Sequence, residues 1–361
     1  MKKDSKILIA GYRGLVGSAI VRAVKKAGYT NITLIDYTEV DLIRQDQVEA
    51  MFEKLKPEYI FLAAAKVGGI YANKTYPADF IYLNLMIATN MVHYAYKYGT
   101  KKMINLGSSC IYPRDSPQPI KEEYLLTSSL EPTNEAYAVA KIAAIKLCRY
   151  YNEQHGTNFI SAMPTNQYGI GDNFNMETGH LLPMVMRRFH LCKLLAKGDF
   201  AGLTSDLKKY KLGWGLDGTF DINDPVAIEK VLNTLGAFRD KIILWGDGSV
   251  YRELMSSDDL ADACLYLMEN KDFKDIGELV NITRGDDIQL KDLFDLVQKT
   301  VGFEGRIEYD TSKPNGTPRK IMDATRINSL GWKPKITIQQ GVKDFYAWYT
   351  TTSGSDNPQN F

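Results

Sequence analysis

The chain lacks a charge excess, paired cysteines and any long apolar run. Its formal net charge is +1, from 44 basic and 43 acidic residues. Bulk electrostatics therefore give no reason to expect a nucleic-acid or anionic-membrane partner. The four cysteines, Cys110, Cys148, Cys192 and Cys264, are far apart and form no Cys-x-x-Cys pair. That pattern indicates neither a metal site nor a disulfide framework, and it fits a reducing, cytoplasmic compartment. The basic start leads through a short apolar run straight into glycines, which is not the build of a signal peptide. No stretch is long and apolar enough to span a bilayer as a helix, and no internal repeat is visible. What is present is an ordinary globular composition, 45 % hydrophobic and 24 % charged over 361 residues, enough for two domains.

Ile7-Leu8-Ile9-Ala10 reads as a buried parallel strand. It runs into Gly11-Tyr12-Arg13-Gly14-Leu15-Val16-Gly17, a helix over 18–27, and a strand over 32–35 that ends at Asp36. Glycines here let the backbone turn tightly and approach a pyrophosphate seated on a helix N-terminus. The triplet alone is weak, but strand, glycine loop, helix and strand together predict dinucleotide binding. Helices over 47–55, 80–98 and 135–155 alternate with strands over 59–65, 102–106 and 159–163. This predicts an α/β doubly wound parallel sheet, a Rossmann domain over 1–168, with segments near 256–285 returning to it. Ligands bind such sheets at the C-terminal strand ends, where Gly11, Asp36, Ala64, Ser108 and Pro164 all fall.

A smaller α/β substrate-binding domain is expected over 169–255 and 286–350. It begins with a loop at 169–173 and a helix over 180–195. Residues 196–241 read as a surface insert without visible chemistry, holding a short helix started by Asp224-Pro225. A strand over 242–245, a helix over 258–270 capped by Ser257, a strand over 279–282 and helices over 290–301 and 337–349 follow. The polar stretch 351–361 reads as a tail.

The chemistry concentrates between Gly107 and Lys141. Tyr137 and Lys141 stand four residues apart and share one helix face. An ammonium beside a phenol favours the phenolate and lowers the tyrosine pKa from about 10, making Tyr137 a proton donor. Ser108 ends a strand and can hydrogen-bond the same substrate oxygen, while Cys110 offers a thiolate base. Alone, a Tyr-x-x-x-Lys spacing reads as a surface helix face arising by chance.

The glycine triplet with Ser108, Tyr137 and Lys141 resembles the extended, nucleotide-sugar-modifying short-chain dehydrogenase/reductases. Longer stretches narrow the resemblance: residues 63–70, 76–81, 106–113 and 131–134, Pro164-Thr165-Asn166 with Tyr168-Gly169, and residues 313–320. These are similar to the GDP-L-fucose synthase family over nearly the whole chain apart from the insert and the tail. The resemblance implies a homodimer that takes GDP-4-keto-6-deoxy-D-mannose, epimerises C3 and C5, and reduces the C4 ketone with NADPH. It implies Cys110 and His180 as the epimerising pair, and Ser108, Tyr137 and Lys141 at the ketone. It places the cofactor against Gly11, Tyr12, Arg13, Gly14, Leu15, Val16, Gly17, Asp36, Leu106, Gly107, Ser108, Lys141, Pro164, Thr165, Asn166, Gln167 and His180. Arg188, Trp245, Arg252 and Arg319 match substrate-binding positions, where guanidinium forks suit diphosphate oxygens.

Departures from the family pattern are Gln167, the pair Ser256-Ser257, and Gly179, which is expected to loosen the loop before His180. Residues 35–39 carry no Lys or Arg, and Asp36 stands where a carboxylate accepts hydrogen bonds from a ribose 2′-hydroxyl. NADP is the expectation from the family, and NAD is an alternative. Arg13 and Arg44 are the basic residues nearest a 2′-phosphate. The rival readings are a C4-reductase or epimerase for another GDP-4-keto sugar such as a heptose, a 4,6-dehydratase, and a non-catalytic cofactor-sensing Rossmann protein.

Overall fold

A computed structural model describes residues 1–313 and 315–352. The tail residues 353–361 lie outside the described residues. The chain forms two compact units, and each has its own core.

The first unit comprises Met1–Gly169, Leu254–Asp286 and Ile321–Ile336. Its sheet has six parallel strands in the order Val280–Ile282, Phe159–Pro164, Lys102–Leu106, Tyr59–Leu62, Ile7–Ala10, Ile32–Ile35. The near-continuous apolar runs follow from burial on both faces. Ile7 and Ile9 point into one core with Ile20, Val24, Leu260 and Leu267. Leu8 and Ala10 point into the other with Val48, Phe52, Met91 and Val92. The chain leaves Ile7–Ala10 for the edge strand Ile32–Ile35, then returns to Tyr59–Leu62 on the opposite side. This reversal opens a crevice at the strands' C-terminal ends, where ligands bind in such sheets.

The long helices Pro77–Lys97 and Glu135–His155 lie where the sequence predicts them. The cap of the Ser257–Asn270 helix is Ser256, not Ser257. The Ser256 hydroxyl accepts from the Asp258 backbone at 3.3 Å. Residues 321–336 group with this unit rather than the second. The Ile120–Met322 bridge ties them in, and Ile327 and Trp332 join its core.

The second unit comprises Ile170–Glu253, Asp287–Lys320 and the chain from Thr337. Lys241–Trp245 pairs in parallel with Arg306–Asp310, a strand whose mixed charge hides it in the sequence. Tyr251–Arg252 pairs antiparallel with Ile288–Gln289. The stretch 196–241 contains Phe200–Lys209, a helix the sequence reading missed, and Pro225–Thr234, whose Asp224 cap accepts from the Val226 backbone at 2.9 Å. Phe174, Tyr210, Phe345 and Tyr349 form an aromatic core with centroids 4.6–5.5 Å apart. Arg187 sits inside this unit at 0 % exposure. Its Nε donates to Asp206 at 2.9 Å, and its Nη atoms donate to the carbonyls of Phe174, Lys211 and Tyr210 at 2.7–2.9 Å.

Candidate active site

The glycine loop is shaped by close approach. A Cβ on Gly11, at φ +81°, would lie 2.7 Å from the Ala64 Cα, and one on Gly17 would lie 2.0 Å from the Gly11 carbonyl oxygen. Both positions therefore exclude a side chain because of the protein's own backbone. At Gly14 the nearest atom to such a Cβ is the Gly11 oxygen, 3.5 Å away. Gly14 caps the helix Leu15–Lys26 without a side-chain cap bond, so the first N–H groups of the helix face an open cradle. This geometry fits a dinucleotide pyrophosphate.

At the end of the second strand, Asp36 is 5 % exposed and lies 2.6 Å from the Arg13 Nε. Its Oδ1 accepts from the Thr38 backbone at 2.8 Å and from the Thr38 hydroxyl at 2.7 Å. Burial alone would raise its carboxyl, but contacts with Glu39 and Thr38 and the Arg13 charge hold it below the usual carboxylate range. Arg13 also pairs with Glu39 at 3.3 Å, and the Tyr12 hydroxyl donates to the same Glu39 at 3.2 Å. Arg44 is turned instead to Asp46, 3.4 Å away.

Ser108 ends the Lys102–Leu106 strand one residue past Gly107, and its hydroxyl accepts from the Cys110 backbone at 3.4 Å. A Cβ on Gly107 would meet the Met163 sulfur at 2.2 Å, so glycine lets this turn close on the neighbouring strand. Ser108 hydrogen-bonds the Tyr137 phenol, and the Tyr137 ring meets Phe80 edge-on at 6.1 Å between centroids. Lys141 is 7 % exposed, and its Nζ donates to the Leu106 carbonyl at 2.8 Å. The four predicted groups of this unit are thus brought together.

Their electrostatics correct one expectation. Tyr137 is not lowered by Lys141. Desolvation pushes the phenol above its ordinary value, the Cys110 thiol adds to the rise, and the Ser108 hydrogen bond opposes it. The Lys141 amine is spent on the Leu106 carbonyl and stands 5.7 Å from the ring centroid. Burial pulls Lys141 itself down to about 8. Tyr137 therefore stays protonated across the neutral range and is a donor rather than a phenolate.

On the neighbouring strand, Pro164 is the last residue, the Thr165 backbone donates to Ile282 at 3.2 Å, and the Gln167 amide donates to the Thr165 carbonyl at 3.0 Å. Asn166 opens a short pairing with Leu254. Of the residues assigned to the cofactor in the sequence reading, those of the first unit fall at the ends of four strands of the one sheet, with Lys141 on the Glu135–His155 helix, while His180 belongs to the second unit. Asn84 was missed. Its amide clamps Lys66 from both sides, at 3.1 and 3.0 Å, and fixes the 63–69 stretch against which Gly11 packs. A polar residue at 4 % exposure on an otherwise apolar helix face was the available signal.

His180, Arg188, Trp245, Arg252 and Arg319 belong to the second unit. His180 is the residue before the helix Leu181–Lys197, and desolvation lowers its imidazole. Gly179 does not loosen the loop. A Cβ there would lie 2.4 Å from the Asn173 oxygen and 2.7 Å from the Asn175 oxygen, so the glycine permits tight closure. Arg188 donates to the Ile243 carbonyl, and its Nε is buried with no hydrogen-bond partner among the described residues. Desolvation pulls this guanidinium down to about 10, against an opposing contribution from Cys192. Trp245 ends the Lys241–Trp245 strand at 62 % exposure, with the Lys313 ammonium 5.7 Å from its ring. Arg252 Nη1 is fixed on the carbonyls of Tyr251 and Thr317 at 2.6 and 2.7 Å. Arg319 forms a two-point pair with Asp287 at 2.6 and 3.1 Å, so its fork is already engaged. Asn315, also missed, accepts from the Asp247 backbone at 2.8 Å and closes the turn after Trp245.

Residues 7–204 and 223–283 match the NAD dependent epimerase/dehydratase family. The chain is 48 % identical over 347 residues to GDP-L-fucose synthase 1 of Arabidopsis thaliana, covering 96 % of this chain and 94 % of that protein. It superposes on a GDP-D-glycero-L-gluco-heptose synthase from Campylobacter jejuni, in the presence of NADPH, with a TM-score of 0.90 and 38 % identity, covering 97 % of this chain and 100 % of the other. It is also similar to a GDP-mannoheptose C4 reductase of Campylobacter jejuni with NADP bound, with a TM-score of 0.87 and 39 % identity over 97 % of this chain and 100 % of the other. The glycine cradle, the Ser108–Tyr137–Lys141 cluster and this near full-length identity place the chain in the NAD dependent epimerase/dehydratase family and, within it, among the GDP-L-fucose synthases.

Proposed function

We propose that this enzyme converts GDP-4-keto-6-deoxy-D-mannose to GDP-L-fucose with NADPH. The observation that carries the proposal is the assembly of Ser108, Cys110, Tyr137 and Lys141 at one strand end, beside a cradle fitted to a dinucleotide.

Protons on C3 and C5 are acidified because the carbanion left behind delocalises onto the C4 oxygen as an enolate. Ser108 and Tyr137 supply preorganised donors to that oxygen. Inversion needs a base on one ring face and an acid on the other, and Cys110 and His180 take these roles. NADPH, when bound, supplies the hydride that C4 receives. Tyr137 gives its phenolic proton to the oxygen as the carbonyl π bond breaks, so ketone, hydride and proton balance to an alcohol. Lys141 holds positive charge near the phenol and would orient the nicotinamide ribose of bound NADPH.

Arg188 and Arg252 hold the diphosphate, and Trp245 offers an aromatic face to the nucleotide. A buried guanidinium that lacks a carboxylate partner is suited to an anionic ligand. Arg319, committed to Asp287, acts at one remove by fixing its loop. The enzyme works as a homodimer in the cytoplasm. Tyr82 and Tyr150, exposed on the two long helices of the first unit, suit a second copy. The four buried thiols, none in a disulfide, suit a reducing compartment. Among the described residues, no helix is long and apolar enough to cross a membrane.

The experiment is NMR product analysis after incubation with GDP-4-keto-6-deoxy-D-mannose and NADPH. GDP-L-fucose is expected. Folded enzyme that oxidises no NADPH with this substrate would overturn the proposal. The second reading is a GDP-heptose substrate, favoured by the names of the two Campylobacter jejuni structures. Competition between the 6-deoxyhexose and the corresponding heptose, read as kcat/KM for each, separates the two.

A further inference from the structure

We propose that residues 206–217 brace the loop that carries His180, and that Glu177 and Gly213 are positioning residues for epimerisation. The proposal rests on the role given above to His180.

The loop from Asp172 to Gly179 has no regular secondary structure. Its shape comes from side chains that bond backbone. Asn173 N donates to Asp172, and Asn175 N donates to Asn173, at 2.8 and 3.0 Å. The Asn175 side-chain oxygen then accepts from the backbones of both Glu177 and Thr178, at 2.8 and 3.0 Å. The Asn173 amide closes the ring on the Thr178 hydroxyl at 2.9 Å. His180 follows directly and starts a helix, so it takes its position from this loop.

The brace meets the loop at three points. Gly213, at φ +80°, packs so closely that a Cβ would lie 2.6 Å from the Glu177 Cβ and 2.8 Å from the Asn175 side-chain oxygen. The next residue, Trp214, donates its backbone N–H to Glu177 Oε2 at 2.7 Å. Farther in, the Arg187 guanidinium holds the Phe174 carbonyl of the loop together with the Tyr210 and Lys211 carbonyls of the brace. The brace is itself stiff. Asp217 accepts from the Leu212 and Gly213 backbones at 2.8 Å each, and Trp214 is held at φ +54°, a conformation that needs such support. Proton transfer to carbon requires the acid within hydrogen-bond reach, and a misplacement of about 1 Å costs on the order of a hundredfold. In the scheme above His180 moves no proton to or from C4, so a displaced loop slows epimerisation more than reduction.

The test compares Glu177→Ala, Glu177→Gln, Gly213→Ala and His180→Gln with wild type. Solvent deuterium uptake at C3 and C5 reads epimerisation. NADP-linked oxidation of GDP-L-fucose reads the C4 chemistry alone, and thermal melting reads the fold. Expected are losses of about tenfold or more in deuterium uptake for Glu177→Ala and Gly213→Ala, with GDP-L-fucose oxidation within about twofold of wild type. Glu177→Gln restores uptake, because its amide oxygen still accepts from Trp214. Wild-type uptake in both Glu177→Ala and Gly213→Ala, or equal losses in both reactions, overturns the brace. If those two variants are silent while His180→Gln loses uptake, only the brace falls. If His180→Gln itself takes up deuterium normally, the role of His180 falls and the brace with it.

Discussion

The Arg13 guanidinium lies 2.6 Å from the Asp36 carboxylate and 3.3 Å from Glu39. Two carboxylates thus face one guanidinium, and a 2′-phosphate must draw Arg13 away from Asp36 to bind. A modest preference for NADPH over NADH is therefore expected. Arg13→Ala should narrow the kcat/KM ratio by about tenfold or more, the loss of a charge-assisted bond. Asp36→Ala should widen it by freeing Arg13. A preference of several hundredfold that neither substitution changes would show that this pair does not read the ribose.

Lys141 is pulled down to about 8 by burial, while Tyr137 is pushed above its ordinary value. Below about pH 8 the amine carries its charge and supports the negative oxygen developing at C4. As pH rises through about 8 the amine becomes neutral, so kcat/KM for ketone reduction should fall, with no second loss from Tyr137 at that point. Lys141→Met should give a low, flat profile. A wild-type profile that climbs through pH 8 would contradict this. The stability sign is the opposite. The unfolded chain holds that proton up to about 10.4, so the burial penalty is fully present below about pH 8 and is relieved as pH rises toward the unfolded value.

Cys110→Ser should separate the two halves of the reaction. A hydroxyl is a far weaker base than a thiolate near neutral pH, and the side chains are nearly the same size. Deuterium uptake at C3 and C5 should fall by about a hundredfold or more, while unepimerised, C4-reduced sugar accumulates. Tyr137→Phe should do the reverse. Normal uptake in Cys110→Ser, measured by NMR, would remove Cys110 as the base.

Arg188 and Arg319 should differ sharply on substitution. Among the described residues, the buried Arg188 Nε has no hydrogen-bond partner and Arg188 pairs with no carboxylate, whereas Arg319 is already paired with Asp287. Arg188→Ala is expected to raise KM for the GDP-sugar by about 2–3 kcal/mol, roughly 30–150-fold, as for a lost hydrogen bond to a charged group. Arg319→Lys should change KM by less than about fivefold, because a lysine still pairs with Asp287. Similar KM values for wild type and Arg188→Ala would take Arg188 out of the diphosphate site.

Arg187→Met is a stability test. Both Arg187 and Asp206 are buried, and three backbone carbonyls also depend on this guanidinium. Removing one partner of a buried pair typically costs about 3–5 kcal/mol. Thermal melting should show a clear drop, and pairing the change with Asp206→Leu should recover part of it. A melting curve unchanged by Arg187→Met would refute this stabilising role of the Arg187 guanidinium.

The doubly wound sheet and the cluster of Ser108, Cys110, Tyr137 and Lys141 were legible in the sequence because their causes are local. Strands buried on both faces read as apolar runs, helices keep their period, and glycine loops sit where the chain must turn. Tyr137 and Lys141 share a face by helix geometry alone, and the strand end puts Ser108 and Cys110 two residues apart. Tertiary structure decided the rest. The direction of the Tyr137 shift depends on desolvation and on where the Lys141 amine points, toward the Leu106 carbonyl. Gly179 and Gly213 carry no signal of their own, since a side chain is excluded at Gly179 by the way its own loop folds back on Asn173 and Asn175, and at Gly213 by Asn175 and Glu177 of a distant segment. Asp36 finds Arg13 across 23 residues of sequence, and Arg187 finds the Lys211 carbonyl across 24. Charge, burial and steric closure depend on atoms that only the folded chain brings together, and no periodicity in the sequence encodes them.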